Sequence, residues 1–427
     1  MNPPARRLLM VHYYFPPAHT AAGVRLGNFY REAQPYFSQT HVITSTNRRF
    51  FPQDPSLETG CRQITEIAAY DLRWLRHQLR RRPQPHLSAS ARRRPLVQLL
   101  QRLSQSFPSN LLIGDGGLYY LYRGYQEGCR LVRQHGITHL FSSYRPYADH
   151  LIAYWLKRRF PHLVWIADFR DLQVDPVLQH SFWPAFQWWC NRQVLKRAEV
   201  VSTVSEGLKK ELDNIHNDVR VLRNGYQPIT KQLPPVDLSH QFLLVYTGSL
   251  YGGKRNPLPV FEAIRKLINE NKICETKFRL VYAGGDSGSW RKAAETTGLI
   301  KCIKLLGYLP RQEALQWQQY AHINLLITWS QKNYGGILTG KLYEYLAMGN
   351  PILSIVHGPV DQELKEIVKK GHPDSTAFFD APIISIDSIS EYIFTIYKSW
   401  QEGKWYRSLP PMEYQWPYLM KDFMQGL

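Results

Sequence analysis

The sequence predicts an α/β protein of two domains, each a parallel sheet doubly wound by helices. Three observations predict it. Short, continuous apolar runs alternate with helical stretches along the whole chain, which is the pattern of strands buried on both faces. The chain has 427 residues, more than one hydrophobic core ordinarily serves. A polar, proline-rich stretch, "YQPITKQLPPVDLSHQ" (226–241), lies between two such alternating halves and reads as a linker.

In the front half, residues 1–225, the runs "RLLMVHYYF" (7–15), "THVITS" (40–45), "ITHLFSSY" (137–144), "LVWIADF" (163–169), "EVVSTVS" (199–205) and "VRVLRNG" (219–225) read as strands. The first enters a turn at Pro16-Pro17. In the back half, residues 242–404, the strands are "FLLVYTG" (242–248), "FRLVYAGG" (278–285), "IKLLGYL" (303–309), "INLLITW" (323–329) and "PILSIV" (351–356). Helices fall between them at Asn256–Glu270, Arg311–Tyr320, Thr339–Gly349 and Asp361–Lys369. Residues 405–427 are expected to pack back on the N-terminal domain. No internal repeat is visible.

A hydrophobic content of 44% marks a globular chain, and a net charge of +19 with a pI near 9.6 calls for an anionic partner or surface. The five cysteines are scattered and odd in number, without a CxxC pair. That pattern favours a reducing, cytoplasmic compartment over a zinc site or a disulfide framework. No apolar run is long enough to span a bilayer, and the apolar run near the N-terminus is too short for a signal peptide.

The most informative stretch is "TGKLYEYLAMGNPIL" (339–353). Thr339 is a plausible N-cap, and Gly349-Asn350-Pro351 is a strong stop. Leu342, Tyr345, Leu346 and Gly349 share one face. A lysine in the first turn opposes the helix dipole, and Gly340 is a poor helix former. Both make sense if an anion sits at this helix start, with Lys341 facing it and the N–H groups of Gly340, Lys341 and Leu342 free to donate. The strand 242–248 runs into "SLYGGKRNP", with Gly248, Ser249, Lys254 and Arg255. Glycines admit a ligand to the backbone and the two cations balance its charge. Together these describe a diphosphate site, with Glu344 able to accept hydrogen bonds from a ribose diol. In open sheets of this kind ligands gather at the carboxyl ends of strands, here in the cleft expected between the domains.

"WIADFRDLQ" places Asp168, Arg170 and Asp171 at such a strand end. They read equally as an ion pair closing a loop or as a carboxylate that orients an acceptor hydroxyl beside an arginine on a phosphate. Residues 73–110 form a basic insertion carrying Arg73, Trp74, Arg76, Arg80, Arg81, Arg82, Arg92, Arg93 and Arg94 among leucines. A basic stretch with Trp and Leu reads as a contact with an anionic membrane surface.

These motifs resemble the retaining glycosyltransferases of the GT-B fold that build bacterial surface polysaccharides, the family four-like group. "YTGSLYGGKRNP" is similar to that family's strand–glycine–Lys/Arg segment, and "TGKLYEYLAMGNPIL" to its nucleotide-sugar motif. Glu344 matches the second of that motif's two glutamates, and the first falls at Gly336. "YYFPPAHTAAGVRLGNFY" resembles the first loop and helix, where Gly23 matches a glycine near the donor phosphate. "EVVSTVSEGLKKEL" and "VRVLRNGY" resemble the segments that end the first domain. "DFRD" with "GKLYEY" resembles a subgroup of the family. The resemblance covers most of the chain. It implies a nucleotide-sugar donor held by the back half and a lipid-linked or other saccharide acceptor held by the front half. It also implies retention of anomeric configuration, metal-independent chemistry with no cofactor, and a peripheral position at the inner face of the cell membrane. The rival classes are a nucleotide-sugar epimerase of the same fold and a basic nucleic-acid-binding protein. The epimerase wants acidic and histidine groups that the sequence does not place. Nucleic acid is not expected as a partner, because no recognition motif accompanies the charge. "AGGDSGS" (283–289) has the wrong spacing for a dinucleotide fingerprint.

Overall fold

The computed structural model describes the chain apart from residues 1–4, 81–93, 115, 175–180, 230–232, 235, 237–239, 252–254, 286, 332–334, 337 and 381–382. It divides into two compact units, Met1–Arg223 with Leu419–Leu427, and Asn224–Tyr418.

The N-terminal unit is built on seven parallel strands: β1 (Arg7–Val11), β2 (Gln39–Ser45), β3 (Ile64–Ile67), β4 (His139–Tyr144), β5 (Val164–Phe169), β6 (Val200–Thr203) and β7 (Val219–Val221). Their order is β3-β2-β1-β4-β5-β6-β7. β1 is central, with Leu9 in register with His41 of β2 and Leu140 of β4, and Leu8 through Val11 have no exposed surface. The order reverses direction between β1 and β4, which is where doubly wound sheets place ligands. β1 ends sooner than the apolar run suggests, because the Tyr13 amide donates to the Asp149 carboxylate at 2.9 Å instead of to a neighbouring strand. Helix Ala21–Ala33 follows, capped by Thr20, whose Oγ1 accepts from the Gly23 amide at 2.9 Å.

The C-terminal unit has β8 (Phe242–Thr247), β9 (Phe278–Ala283), β10 (Ile303–Gly307), β11 (Ile323–Gln331), β12 (Gly335–Gly336), β13 (Ile352–His357) and β14 (Thr376–Phe379). Six run parallel in the order β10-β9-β8-β11-β13-β14, and the two-residue β12 pairs antiparallel with the end of β11. The core on one face gathers Phe242, Leu244, Tyr246, Phe261, Leu280 and Trp290. On the other face helix Gly340–Met348 buries Leu342, Tyr345 and Leu346 against Ile352 and Val356. That helix stops at Gly349 with φ +69°, where a Cβ would meet the Ser408 carbonyl at 2.1 Å. Of the proline-rich stretch, Leu233 donates to and accepts from Gln319 and Tyr320, and Val236 is buried beside Leu243 and Val245.

The edge strands β3 and β14 were not expected from sequence. Each has four residues and is half-buried for most of its length, so neither carries the apolar run that marks a central strand.

Candidate functional site

In the C-terminal unit β8 ends on Thr247, and the chain turns at Gly248 with φ +110°. The Lys341 side chain lies across that turn. A Cβ on Gly248 would meet its Nζ at 1.9 Å, and the ammonium sits 5.2 Å from the centre of the Tyr246 ring. Glycine suits this turn through its φ, and any side chain there would also have to displace the end of Lys341. Burial, then the neighbouring Arg255 charge, push the Lys341 ammonium down to about 7, with Glu344 pulling weakly the other way.

Arg255 is 3% exposed. It donates to the Ser249 carbonyl at 3.1 Å and stacks on Tyr251 at 4.5 Å and Trp329 at 5.2 Å. Its buried Nε has no hydrogen-bond partner, and neither has the Trp329 Nε1 nor the Thr339 hydroxyl. Among the described residues neither Arg255 nor Lys341 makes an ion pair. Two cations brought together without a carboxylate at contact distance among the described residues raise the energy of the empty site, and an anion bound between them would lower it.

Thr339 occupies the N-cap position of its helix in an extended conformation, yet its hydroxyl makes no capping bond. The Leu342 amide, expected to be free, donates to the Thr339 carbonyl at 3.1 Å and is already used. Glu344, partly exposed, accepts from Arg311 at 3.4 Å and from Gln318 at 3.1 Å. Gln318 also donates to Thr247 Oγ1 at 2.9 Å, which ties the glutamate to the end of β8. The Ser249 hydroxyl, exposed, accepts from the Tyr251 amide at 3.0 Å. Gly336 lies in β12 and Lys254 falls outside the described residues.

The N-terminal unit holds a second polar constellation at the ends of β4, β5 and β6. Asp168 is 0% exposed and Arg25 3%, and they pair at 2.8 Å. Both Asp168 oxygens are taken. Oδ1 accepts from Arg25 and Ser202 Oγ, and Oδ2 from Ser143 Oγ at 2.8 Å and from Arg25 Nε at 3.4 Å. Burial would raise this carboxyl, but the Arg25 charge and the hydrogen bonds outweigh it and hold it below its ordinary value. Of the two sequence readings of Asp168, contact with the acceptor hydroxyl does not fit, because the carboxylate is an internal anchor with no exposed surface, and it is an ion pair that forms, with Arg25 as the partner. Arg25 also donates to the Leu222 carbonyl at 2.9 Å, so the pair links the first helix to the end of the sheet.

Arg170 reaches the same side of the sheet as Asp168, as expected. Its Nε donates to Ser143 Oγ at 3.1 Å, and its guanidinium donates to the Arg145 carbonyl at 3.1 Å. Burial lowers its pKa, with Asp171 and Asp168 opposing. Asp171 is exposed. Gly23 is buried and its amide is occupied by Thr20, and a Cβ there would meet the Ala18 carbonyl at 2.2 Å. Its need for glycine is thus local packing. His12 is fully buried among these groups, pushed down to about 3 chiefly by burial, and is a neutral core side chain.

The basic insertion supplies two helices, Leu72–Arg80 and Arg94–Gln105. Leu75, Leu99 and Leu100 are exposed on them. Arg73 is held by Tyr14, to whose hydroxyl it donates at 3.1 Å, and its guanidinium lies 4.7 Å over Phe51. Trp74 is half-buried against Tyr70, and Arg76 is exposed. Arg80 and Arg94 end and begin their helices, while Arg81, Arg82, Arg92 and Arg93 lie outside the described residues. No described helix is long and apolar enough to cross a membrane, and among the described residues no cluster of three His, Cys, Asp or Glu side chains is placed to hold a metal ion.

Sequence reasoning missed Arg25, Ser143 and Ser202 in one unit and Arg311, Gln318 and Trp329 in the other. Arg25 left a trace: it stands between Val24 and Leu26 on a helix whose neighbours are otherwise apolar.

The architecture is that of the GT-B fold, two parallel-sheet α/β units in one chain. Three solved structures are similar over nearly their full length. Sucrose-phosphate synthase from Thermosynechococcus elongatus has a TM-score of 0.59 at 11% identity, over 99% of this chain and 98% of that one. A lipopolysaccharide outer core galactosyltransferase, in its apo form, has a TM-score of 0.58 at 10% identity, over 98% of each chain. A putative UDP-N-acetylglucosamine 2-epimerase from Listeria monocytogenes has a TM-score of 0.55 at 11% identity, over 99% and 96%. No family model matches the chain, and no curated protein matches it by sequence.

Proposed function

We propose that this chain is a glycosyltransferase. It moves a sugar from a nucleotide-diphosphate sugar, held by the C-terminal unit, to a saccharide acceptor held by the N-terminal unit. The observation that carries the reading is the Arg255–Lys341 pair, two buried or half-buried cations with no carboxylate partner among the described residues, beside a helix start and an unused Thr339 hydroxyl. A diphosphate supplies the missing negative charge. Glu344, fixed by Arg311 and Gln318, then holds the ribose. Gly340, Ser249 and Lys254 complete the donor loop.

In this reading the departing diphosphate is stabilised by Lys341 and Arg255, and the chemistry is positioning and charge stabilisation rather than work by a strong base. The anomeric configuration is retained. Asp171, exposed beside Arg170, orients the acceptor hydroxyl, and Arg170 contacts a phosphate. Asp168 positions Arg170 through Ser143. The acceptor is lipid-linked and belongs to surface polysaccharide synthesis. The arginine-rich helices hold the protein peripherally on the inner face of the cell membrane.

The test is a thermal-shift screen of a nucleotide-sugar panel, followed by NMR of the product formed with the donor that binds. A ligand that binds only the folded state stabilises it by about 2.7 kcal/mol at a hundredfold excess over Kd. Release of nucleoside diphosphate with a new glycosidic bond supports the proposal. Epimerised nucleotide sugar without transfer would instead place the chain with the epimerases of this fold, and binding of no nucleotide sugar would refute both.

A further inference from the structure

The N-terminal unit contains a cavity of about 380 Å³, at the lower end of the size range for small-molecule sites. Arg73, Arg76 and Arg145 all line it, and among the described residues no lining residue is acidic. Arg73 is pre-oriented by Tyr14 and Phe51, so little side-chain freedom is lost when it engages a ligand. Three further lining groups carry buried polar atoms without a hydrogen-bond partner: Asn110 Oδ1, the Tyr147 hydroxyl and His77 Nδ1. Asn110 is 8% exposed and Tyr147 3%. Such atoms are costly unless something completes them. Their chemistry is specific: Asn110 Oδ1 accepts only, so it calls for a hydroxyl or amine, while the Tyr147 hydroxyl can donate to an oxyanion. Leu72 and Ile113 provide apolar wall. Arg73 and Arg76, read from sequence as membrane contacts, both line this cavity.

We propose that the cavity binds a phosphate-bearing, hydroxylated group, its phosphate on the three arginines and a hydroxyl on Asn110. In the transferase reading, on which only this assignment of role rests, that group is the phosphate end of the acceptor.

The experiment titrates inorganic pyrophosphate into the full chain carrying Lys341→Met and Arg255→Gln, which silences the anion site of the C-terminal unit. Wild-type protein saturated with nucleoside diphosphate gives the same background should the double variant melt early. Binding at one site is expected to persist, and adding Arg76→Gln should weaken it by about tenfold or more, the loss of one charge-assisted contact. Asn110→Asp, with melting curves to verify the fold, should weaken it further. Glucose 1-phosphate and phosphatidylglycerol vesicles are then used separately to displace the pyrophosphate. Displacement by the first assigns the cavity to a sugar phosphate, and by the second to a bilayer headgroup. No pyrophosphate binding on the silenced background, full binding after Arg76→Gln, or displacement by neither competitor would overturn the proposal. If nucleoside diphosphates fail to bind the wild-type protein, the transferase reading falls, while the pyrophosphate titration still decides the cavity.

Discussion

Replacing Lys341 by methionine keeps the aliphatic stem that crosses Gly248 and removes only the charge. The ammonium is pushed from 10.5 to about 7, mainly by burial and then by Arg255. At 1.36 kcal/mol per unit, the charged lysine costs the empty fold roughly 5 kcal/mol at most. Discounting for the side chain's remaining exposure leaves roughly 2–3 kcal/mol. Below pH 7 the native protein carries this charge and bears the whole cost. Between pH 7 and 10.5 the native lysine is neutral while the unfolded chain still binds the proton, so the cost shrinks as pH rises and vanishes above 10.5. Lys341→Met should therefore melt higher than wild type at pH 6, by roughly 2–3 kcal/mol in urea titrations, and converge with it toward pH 10. Nucleoside diphosphate should stabilise the wild type more than the variant, by about 1.4 kcal/mol for a tenfold loss of affinity. A variant that is less stable at every pH, or a difference independent of pH, would refute the argument and make Lys341 a satisfied structural cation.

Three other outcomes are expected. Gly248→Ala should displace Lys341, because the new Cβ lands 1.9 Å from its Nζ in a φ of +110°, and should lower both the melting temperature and nucleotide affinity. Asp168→Asn should destabilise by roughly 3–5 kcal/mol in denaturant unfolding, since it strands the buried Arg25 charge, whereas Asp171→Asn, on an exposed side chain, should melt normally and lose transfer activity. Changing Arg80, Arg81, Arg82, Arg92, Arg93 and Arg94 to Ser should release the protein from anionic vesicles in flotation assays and leave donor hydrolysis nearly intact.

The parallel sheets were legible because their central strands are buried on both faces and so read as unbroken apolar runs. β8, β11 and β13 fall within a residue or two of the expected bounds. The helix over 340–348 was legible at both ends, through Thr339 and the left-handed Gly349. What sequence could not supply was the pairing between distant segments. Nothing local says that Arg25 neutralises Asp168 across 143 positions, or that Glu344 meets Arg311 rather than Lys341 three residues away. Arg255 was legible as a cation of the donor loop but not as a buried one, because its burial depends on Tyr251 and Trp329 closing over it. Gly23 was legible only by resemblance, because the carbonyl of Ala18 that excludes any Cβ is set by the turn, not by composition.

The central claim, that the C-terminal unit holds a diphosphate on Lys341 and Arg255, is tested most directly by calorimetric titration at pH 8. Uridine, guanosine, adenosine, cytidine and thymidine diphosphates are titrated in two buffers of different ionisation enthalpy. At that pH a lysine pushed down to about 7 is mostly neutral, and a bound diphosphate returns it toward its ordinary range. The account predicts that at least one of these nucleotides binds with uptake of up to about one proton per site, and that Lys341→Met abolishes the uptake and weakens binding by about tenfold or more. Failure of all five to bind, or equal affinity and equal proton uptake in Lys341→Met, would contradict it.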